Sequence, residues 1–231
     1  MIGVIGGTIF FENMLIEAPD KKEIDTPYGF VNVYTKGDIA FIPRHGINNN
    51  IPPHKVNHKA NVFALKSAGA TKIIGACSSG CLKKEIDIPA IAVPDDYMDL
   101  KNTHTFFDDK IIHTTPELSE PLRKAIIKAA ESLGFKTVNK GAYLETRGPR
   151  LETKAEINLF KNFADFIGMT GASEATLAKE LKVGYAMILS LDNYGNGLAE
   201  EELNFEQIKQ RARNNSENIK NIILKTIELI K

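Results

Sequence analysis

Gly, Ser, Thr and Arg recur directly after short apolar, β-branched runs, and these are the residues with which the chain could do chemistry. Gly6-Gly7-Thr8 follows the first run, and Pro43-Arg44-His45-Gly46 follows a later one. Further along come Cys77-Ser78-Ser79-Gly80, Thr146-Arg147-Gly148-Pro149-Arg150-Leu151-Glu152-Thr153, Met169-Thr170-Gly171-Ala172-Ser173-Glu174 and Asp192-Asn193. Such residues expose backbone N–H groups, hydroxyls and a guanidinium fork, the groups that hold an oxyanion. Each segment also has a plainer reading. Gly6-Gly7-Thr8 is a phosphate nest or a tight βα turn. It is not a dinucleotide fingerprint, because Ile9 and Phe10 follow, and it lacks the Gly-Lys-Ser/Thr of a Walker A loop. Arg44 makes a surface ion pair or grips an oxyanion; Ser78, Ser79 and Thr170 cap elements or bind. Asn193 turns the chain, since its amide mimics a backbone turn, or it reads a ligand. Taken together, the set makes a site for one free phosphate.

The elements that must position these residues alternate between strand and helix. Strands are expected at Met1–Ile5, Val31–Thr35, Ile39–Pro43, Ile73–Cys77, Ile91–Pro94, Gly141–Glu145, Phe163–Met169 and Tyr185–Leu191. Helices are expected at Lys59–Ser67, Leu118–Leu133, Thr153–Phe160, Ser173–Leu181 and Glu206–Ile230. Thr153 with Glu156 three residues on is a capping-box pattern, Ser173 reads as an N-cap, and Gly134 stops the Leu118 helix. The alternation predicts an α/β fold with a mixed, mostly parallel sheet flanked by helices, in a single domain over residues 1–231. In such sheets ligands bind at the carboxyl ends of strands, where the segments above fall. The stretch 99–116 has the least regular pattern, and a loop that long is more often functional than idle.

Composition narrows the classes. The 231 residues allow a substantial core. Lys+Arg and Asp+Glu are 29 each, so nothing favours nucleic acid or an anionic membrane surface as a partner. No run approaches the ~18–20 apolar residues of a membrane span. The first apolar stretch lacks a basic leader and is broken by glycines, so it does not read as a signal peptide and a cytoplasmic location is expected. Cys77 and Cys81 read as free thiols, not as half of a zinc site. No metal constellation and no cofactor are expected.

The ordered motifs I-G-V-I-G-G-T at 2–8, P-R-H-G at 43–46, K-V-N-H-K-A-N at 55–61, G-P-R-L-E-T-K-A-E at 148–156 and M-T-G-A-S-E-A-T-L-A-K-E at 169–180 span the chain. In that order they resemble the purine nucleoside phosphorylase family, in particular its trimeric branch with the methylthioadenosine and methylthioinosine phosphorylases. The resemblance implies attack of inorganic phosphate, as co-substrate, on C1′ of a purine nucleoside. By motif match it assigns phosphate to Thr8, Arg44, His45, the backbone N–H of Ser78, and Thr170. It places Met169 under the ribose and Leu151 in the base pocket. It implies that Asn193 meets purine N7 and the group at C6, and that Glu152 accepts N1–H of a 6-oxopurine. An amide suits a 6-oxo group, whereas adenine N1 is an acceptor that an ionised Glu152 would repel. The plainer alternatives are a helix-start acid for Glu152 and a turn for Asn193. A one-residue shift that put Asp192 in the reading position would favour adenine instead.

For the sugar, the alignment sets Phe205 where inosine-type enzymes carry a 5′-hydroxyl-binding His. Phe205 either packs on a thiomethyl group or staples the last helix. His113 matches a His that a neighbouring subunit supplies, which implies a homotrimer or a hexamer built from it. Departures from the family pattern are Ile9 in place of a loop Gly, Leu151 in place of a stacking Phe, Asn49 in place of a His, and a short 99–116 loop. The expected activity is phosphorolysis of a 6-oxopurine nucleoside, preferably 5′-methylthioinosine, to hypoxanthine and 5-methylthioribose 1-phosphate. General inosine/guanosine phosphorylase, methylthioadenosine phosphorylase, a nucleoside hydrolase and a non-catalytic purine-binding protein are the alternatives.

Overall fold

The computed structural model describes residues 1–10, 15–100, 104–199 and 204–230. Its strands are β1 (Ile2–Gly6), β2 (Asp20–Ile24), β3 (Val31–Lys36), β4 (Ile39–Pro43), β5 (Lys72–Cys81) and β6 (Ala90–Ala92). They continue with β7 (Asp96–Asp99), β8 (Thr137–Val138), β9 (Ala142–Glu145), β10 (Phe166–Gly168) and β11 (Gly184–Tyr194). The helices are α1 (His58–Ser67), α2 (Glu120–Ser132), α3 (Lys154–Phe160), α4 (Gly171–Glu180) and α5 (Phe205–Leu229).

All these strands join one sheet in the order β2-β3-β4-β1-β5-β10-β9-β7, with β11 on the other edge of β5, then β6 and β8. Parallel pairings join β1 to β4 and β5, β5 to β11, β9 to β7 and β10, and β6 to β8. The remaining pairings, β2–β3, β3–β4, β5–β10 and β6–β11, are antiparallel. The mixed, mostly parallel α/β architecture is therefore present.

Successive strand residues point to opposite faces, and the burial follows that period of two. Ile5, Ile73, Tyr185, Met187 and Leu189 pack with α1 and α4, through residues such as Leu65 and Leu177. Val4, Ile74, Ala76, Ala186 and Ile188 pack with α2 and α5, through Ile126, Ile219 and Ile223. The central strands are apolar on both sides because each side is covered by helices.

Local signals explain most boundaries. Thr153 and Glu156 form the capping box at α3, with each side chain bonded to the other's backbone N–H. Asn57 caps α1 by accepting from the Ala60 N–H. Four expectations change. The strand expected at Phe163–Met169 is confined to β10, with Phe163 exposed in the turn before it. Ser173 does not cap α4: the N-cap is Thr170, and Ser173 lies fully buried in the first turn. The expected strand at Ile73–Cys77 continues as β5 to Cys81, so Cys77-Ser78-Ser79-Gly80 is strand, held by pairing with β11 and β10. β11 likewise runs through Asp192 and Asn193 to Tyr194, with a bulge between Leu191 and Asn193, so neither residue makes a turn. The exposed, charged β2 and the short β7 and β8 carry no apolar run that would announce them. Among the described residues no helix is long and apolar enough to cross a membrane.

Candidate active site

The site forms where the sheet changes partner along one edge of β5. β1 pairs with that edge up to Ala76 and ends. β10 takes the same edge from Gly80 and runs antiparallel, because β11 occupies the other edge throughout. The C-terminal ends of β1 and β10 therefore point towards each other, and among the described residues Cys77, Ser78 and Ser79 between them have no strand partner on that side. The Ala76 carbonyl accepts the Gly7 N–H at 3.1 Å, so Ala76 presents its backbone groups to this edge. By strand alternation Ser78 presents its own N–H to the gap. A break in pairing of this kind is where open α/β sheets bind ligands.

A cavity of about 670 Å³ opens at this gap. It is lined from every strand end singled out in the sequence: Gly7 and Thr8, Arg44 and His45, Cys77 to Ser79, Leu151 and Glu152, Met169 and Thr170, and Asn193. Its size suits a nucleoside-sized ligand.

Arg44 departs from expectation. The residue is 2% exposed, and its guanidinium fork holds Glu174: Nε to Oε1 at 2.5 Å and Nη2 to Oε2 at 3.0 Å. Nη2 also donates to the Ile5 carbonyl and Nη1 to that of Ala76. The bidentate grip thus falls on a protein carboxylate, and Nη1 alone retains a second hydrogen for the cavity. Gly7 is required here, because a Cβ at that position would lie 2.4 Å from Nη1.

His45 is neutral at physiological pH. Burial, assisted by the Arg44 charge, pushes its imidazolium down to about 4. Its Nδ1–H donates to the Ile51 carbonyl at 2.8 Å, which fixes the ring. The Cys77 thiol is pushed up to about 11, chiefly by burial, and stays protonated. Thr170 makes no side-chain cap bond, and its hydroxyl stands 4.0 Å from the Cys77 sulfur. The N–H groups of Thr170 and Gly171 donate to the Tyr143 hydroxyl, and that of Ser173 to Glu145. What α4 offers the cavity is therefore the Thr170 hydroxyl and the positive end of the helix dipole.

At the other end of the cavity Glu152 is 9% exposed and accepts a hydrogen bond from the Thr146 hydroxyl. Asn193 donates from Nδ2 to the Tyr194 carbonyl at 2.8 Å, which leaves Oδ1 on the other branch of the amide as an acceptor. Asn196, three residues on, donates to the Glu152 carbonyl at 3.0 Å and ties the two segments together. Asp192 is turned away: it does not line the cavity, is fully buried, and accepts from Ser78 Oγ at 2.6 Å. The bulge places Asn193, and not Asp192, at the wall.

His113 is exposed and is not among the residues lining the chain's own cavity. The side chain of Phe205 lies outside the described residues. Sequence reasoning missed Ile51, Pro53, Ile167, Ile208, Lys209 and Arg213, all of which line the cavity. Lys209 and Arg213 are one turn apart on α5, a spacing that also describes any solvated helix face. Among the described residues no group of three or more His, Cys, Asp or Glu could hold a metal ion.

A family model described as the phosphorylase superfamily matches residues 1–228. A probable 6-oxopurine nucleoside phosphorylase of Archaeoglobus fulgidus is 39% identical, covering 100% of this chain and 97% of that protein. A probable S-methyl-5′-thioinosine phosphorylase of Methanocaldococcus jannaschii is 36% identical, covering 99% and 90%. The solved structure of methylthioadenosine phosphorylase from Schistosoma mansoni in complex with adenine superposes with a TM-score of 0.91 at 25% identity, covering 99% of this chain and 91% of that one.

Proposed function

We propose, since the chain belongs to the phosphorylase superfamily, that it is an enzyme cleaving 6-oxopurine nucleosides with inorganic phosphate, preferably 5′-methylthioinosine. The products are hypoxanthine and 5-methylthioribose 1-phosphate. The observation that carries the reading is the single cavity in which the Ser78 edge, Thr8 and Thr170 lie together with Glu152 and Asn193.

In the reaction a phosphate oxygen bonds to C1′ as the C1′–N9 bond breaks, and the base leaves with a proton. The transition state has positive charge on the ribose and negative charge on the base, so stabilisation must act at both ends. The Ser78 N–H, the Thr8 and Thr170 hydroxyls and the α4 dipole suit the phosphate. The neutral His45 adds a hydrogen-bonding ring and no charge. Arg44, held by Glu174, supplies positive potential and one Nη1 hydrogen. Met169 would lie under the ribose and Leu151 beside the base. Asn193 Oδ1 suits a protonated N7, and the Glu152 carboxylate suits N1–H of a 6-oxopurine. A homotrimer in which a neighbour's His113 completes the sugar pocket is part of the same proposal.

A second reading, general inosine/guanosine phosphorolysis, is favoured by one observation: Lys209 and Arg213 make part of the cavity wall polar. Specificity constants for methylthioinosine, inosine and methylthioadenosine, each with and without phosphate, decide between these. Cleavage at full rate without phosphate would overturn phosphorolysis, and methylthioadenosine as best substrate would overturn the roles of Glu152 and Asn193.

A further inference from the structure

Behind the cavity wall lies a buried polar network that the reaction just described does not use. Asp192 sits at the β11 bulge with no exposure. Its Oδ2 accepts from Ser78 Oγ at 2.6 Å, and its Oδ1 accepts from Ser190 Oγ. Ser190 in turn accepts from Asn215 Nδ2 of α5 at 2.9 Å, and Arg211 of α5 donates to the Asp192 carbonyl at 3.2 Å. The network thus runs from α5 through β11 to the one β5 residue whose N–H faces the gap between β1 and β10. A buried carboxyl is costly unless it is hydrogen-bonded, and here each oxygen has a serine partner, Ser78 of β5 and Ser190 of β11.

We propose that Asp192 is a positioning residue for phosphate: by holding the Ser78 side chain from behind, it fixes the orientation of the Ser78 N–H at the unpaired edge of β5. The inference rests on the reading that phosphate binds at this edge. A serine tethered at its hydroxyl has its χ1 and its backbone set together, so the N–H is preorganised before phosphate arrives and binding does not have to order it. The arrangement also explains why a carboxylate next to Asn193 can be tolerated beside a purine site. It is spent on two serines and does not reach the base.

The test uses the full-length enzyme with methylthioinosine and inorganic phosphate. Wild type must first show phosphate-dependent hypoxanthine release; its absence refutes the phosphorylase reading itself, separately from this inference. Ser78→Ala and Asp192→Ala are each expected to raise the phosphate KM by about three- to tenfold, the factor of one lost hydrogen bond. The value of kcat at saturating phosphate and the nucleoside KM should change less than the phosphate KM, since the tether acts on the phosphate end of the cavity. The double variant should be no worse than the weaker single, because both break one link. Asp192→Asn keeps the shape and can still bond Ser78, so it should restore most of the phosphate affinity. An unchanged phosphate KM in Ser78→Ala, a multiplicative double variant, or an equal rise in both KM values overturns the proposal. Ser78→Ala removes only a hydroxyl, so it decides the matter even if Asp192→Ala does not fold.

Discussion

The Arg44 guanidinium and the Glu174 carboxylate meet fork to fork in the interior, 2.5 Å from Nε to Oε1 and 3.0 Å from Nη2 to Oε2. Tyr185 donates to the same carboxylate at 2.9 Å. The pair joins Arg44, directly after β4, to α4, so it ties together two of the segments expected to hold phosphate.

Breaking this pair from one side leaves the other charge buried without its ionic partner. Glu174→Ala should destabilise the protein by about 3–5 kcal/mol, the usual cost of removing one partner of a buried ion pair. Arg44→Ala should both destabilise the fold and raise the phosphate KM. Urea unfolding checks the first effect, and a loss below about 1 kcal/mol would show that the pair is dispensable. An unaltered phosphate dependence in a folded Arg44→Ala enzyme would remove Arg44 from the phosphate site.

Asp192 makes stability depend on pH. Burial, opposed by the Ser190 and Ser78 hydrogen bonds, pushes its carboxyl up from 3.8 to about 7. The folded protein therefore holds this proton more tightly than the unfolded chain. Its contribution is complete below the unfolded value and is lost as pH rises through about 7. Asp192→Asn carries no such proton, so the stability difference between wild type and variant should shift by a few kcal/mol in the variant's favour from pH 4 to pH 8. Thermal melts of both proteins across that range measure it, and parallel curves would refute it.

Base choice should respond to the two residues at the far end of the cavity. Asn193→Asp should move the ratio of kcat/KM for methylthioadenosine over methylthioinosine upward by about tenfold or more, because a mispaired buried polar group costs about 1–3 kcal/mol. Glu152→Gln should lower kcat/KM for 6-oxopurine nucleosides by a similar factor and affect methylthioadenosine less. If both ratios stay at the wild-type value, these side chains do not read the base.

His45 should stay neutral far below the usual histidine range. Its ring signals followed by NMR should titrate near pH 4, in line with its burial beside the Arg44 charge. A midpoint near 6.5 would mean that the ring is solvated and carries charge in the reaction.

The sequence showed much of this, and the reasons differ by element. Long apolar runs such as Tyr185–Leu191 and the Thr153–Glu156 cap carry their structure locally, and both appear where expected. β2, in contrast, reads Asp20-Lys21-Lys22-Glu23-Ile24, with four charges in five residues, and is a strand only because β3 offers it an edge. Of the site, the strand-end residues were legible because α/β sheets place ligands there. Ile208, Lys209 and Arg213 were not, since an amphipathic helix does not state which part of its face borders a cavity.

The linear order of residues determined the fold class, the strand ends that line the cavity, and the family. Those depend on periodicity and on motifs a few residues long, and local chemistry suffices to set them. Tertiary structure alone decided what the charged groups do. It turned the Arg44 fork to Glu174, lowered His45, buried Asp192 behind Ser78 and brought Asn193 to the wall. Whether a charge meets a ligand or another residue depends on which atoms lie within about 3 Å of it, and on how far water is excluded. Neither quantity exists until β5 has gained β1, β10 and β11 as neighbours.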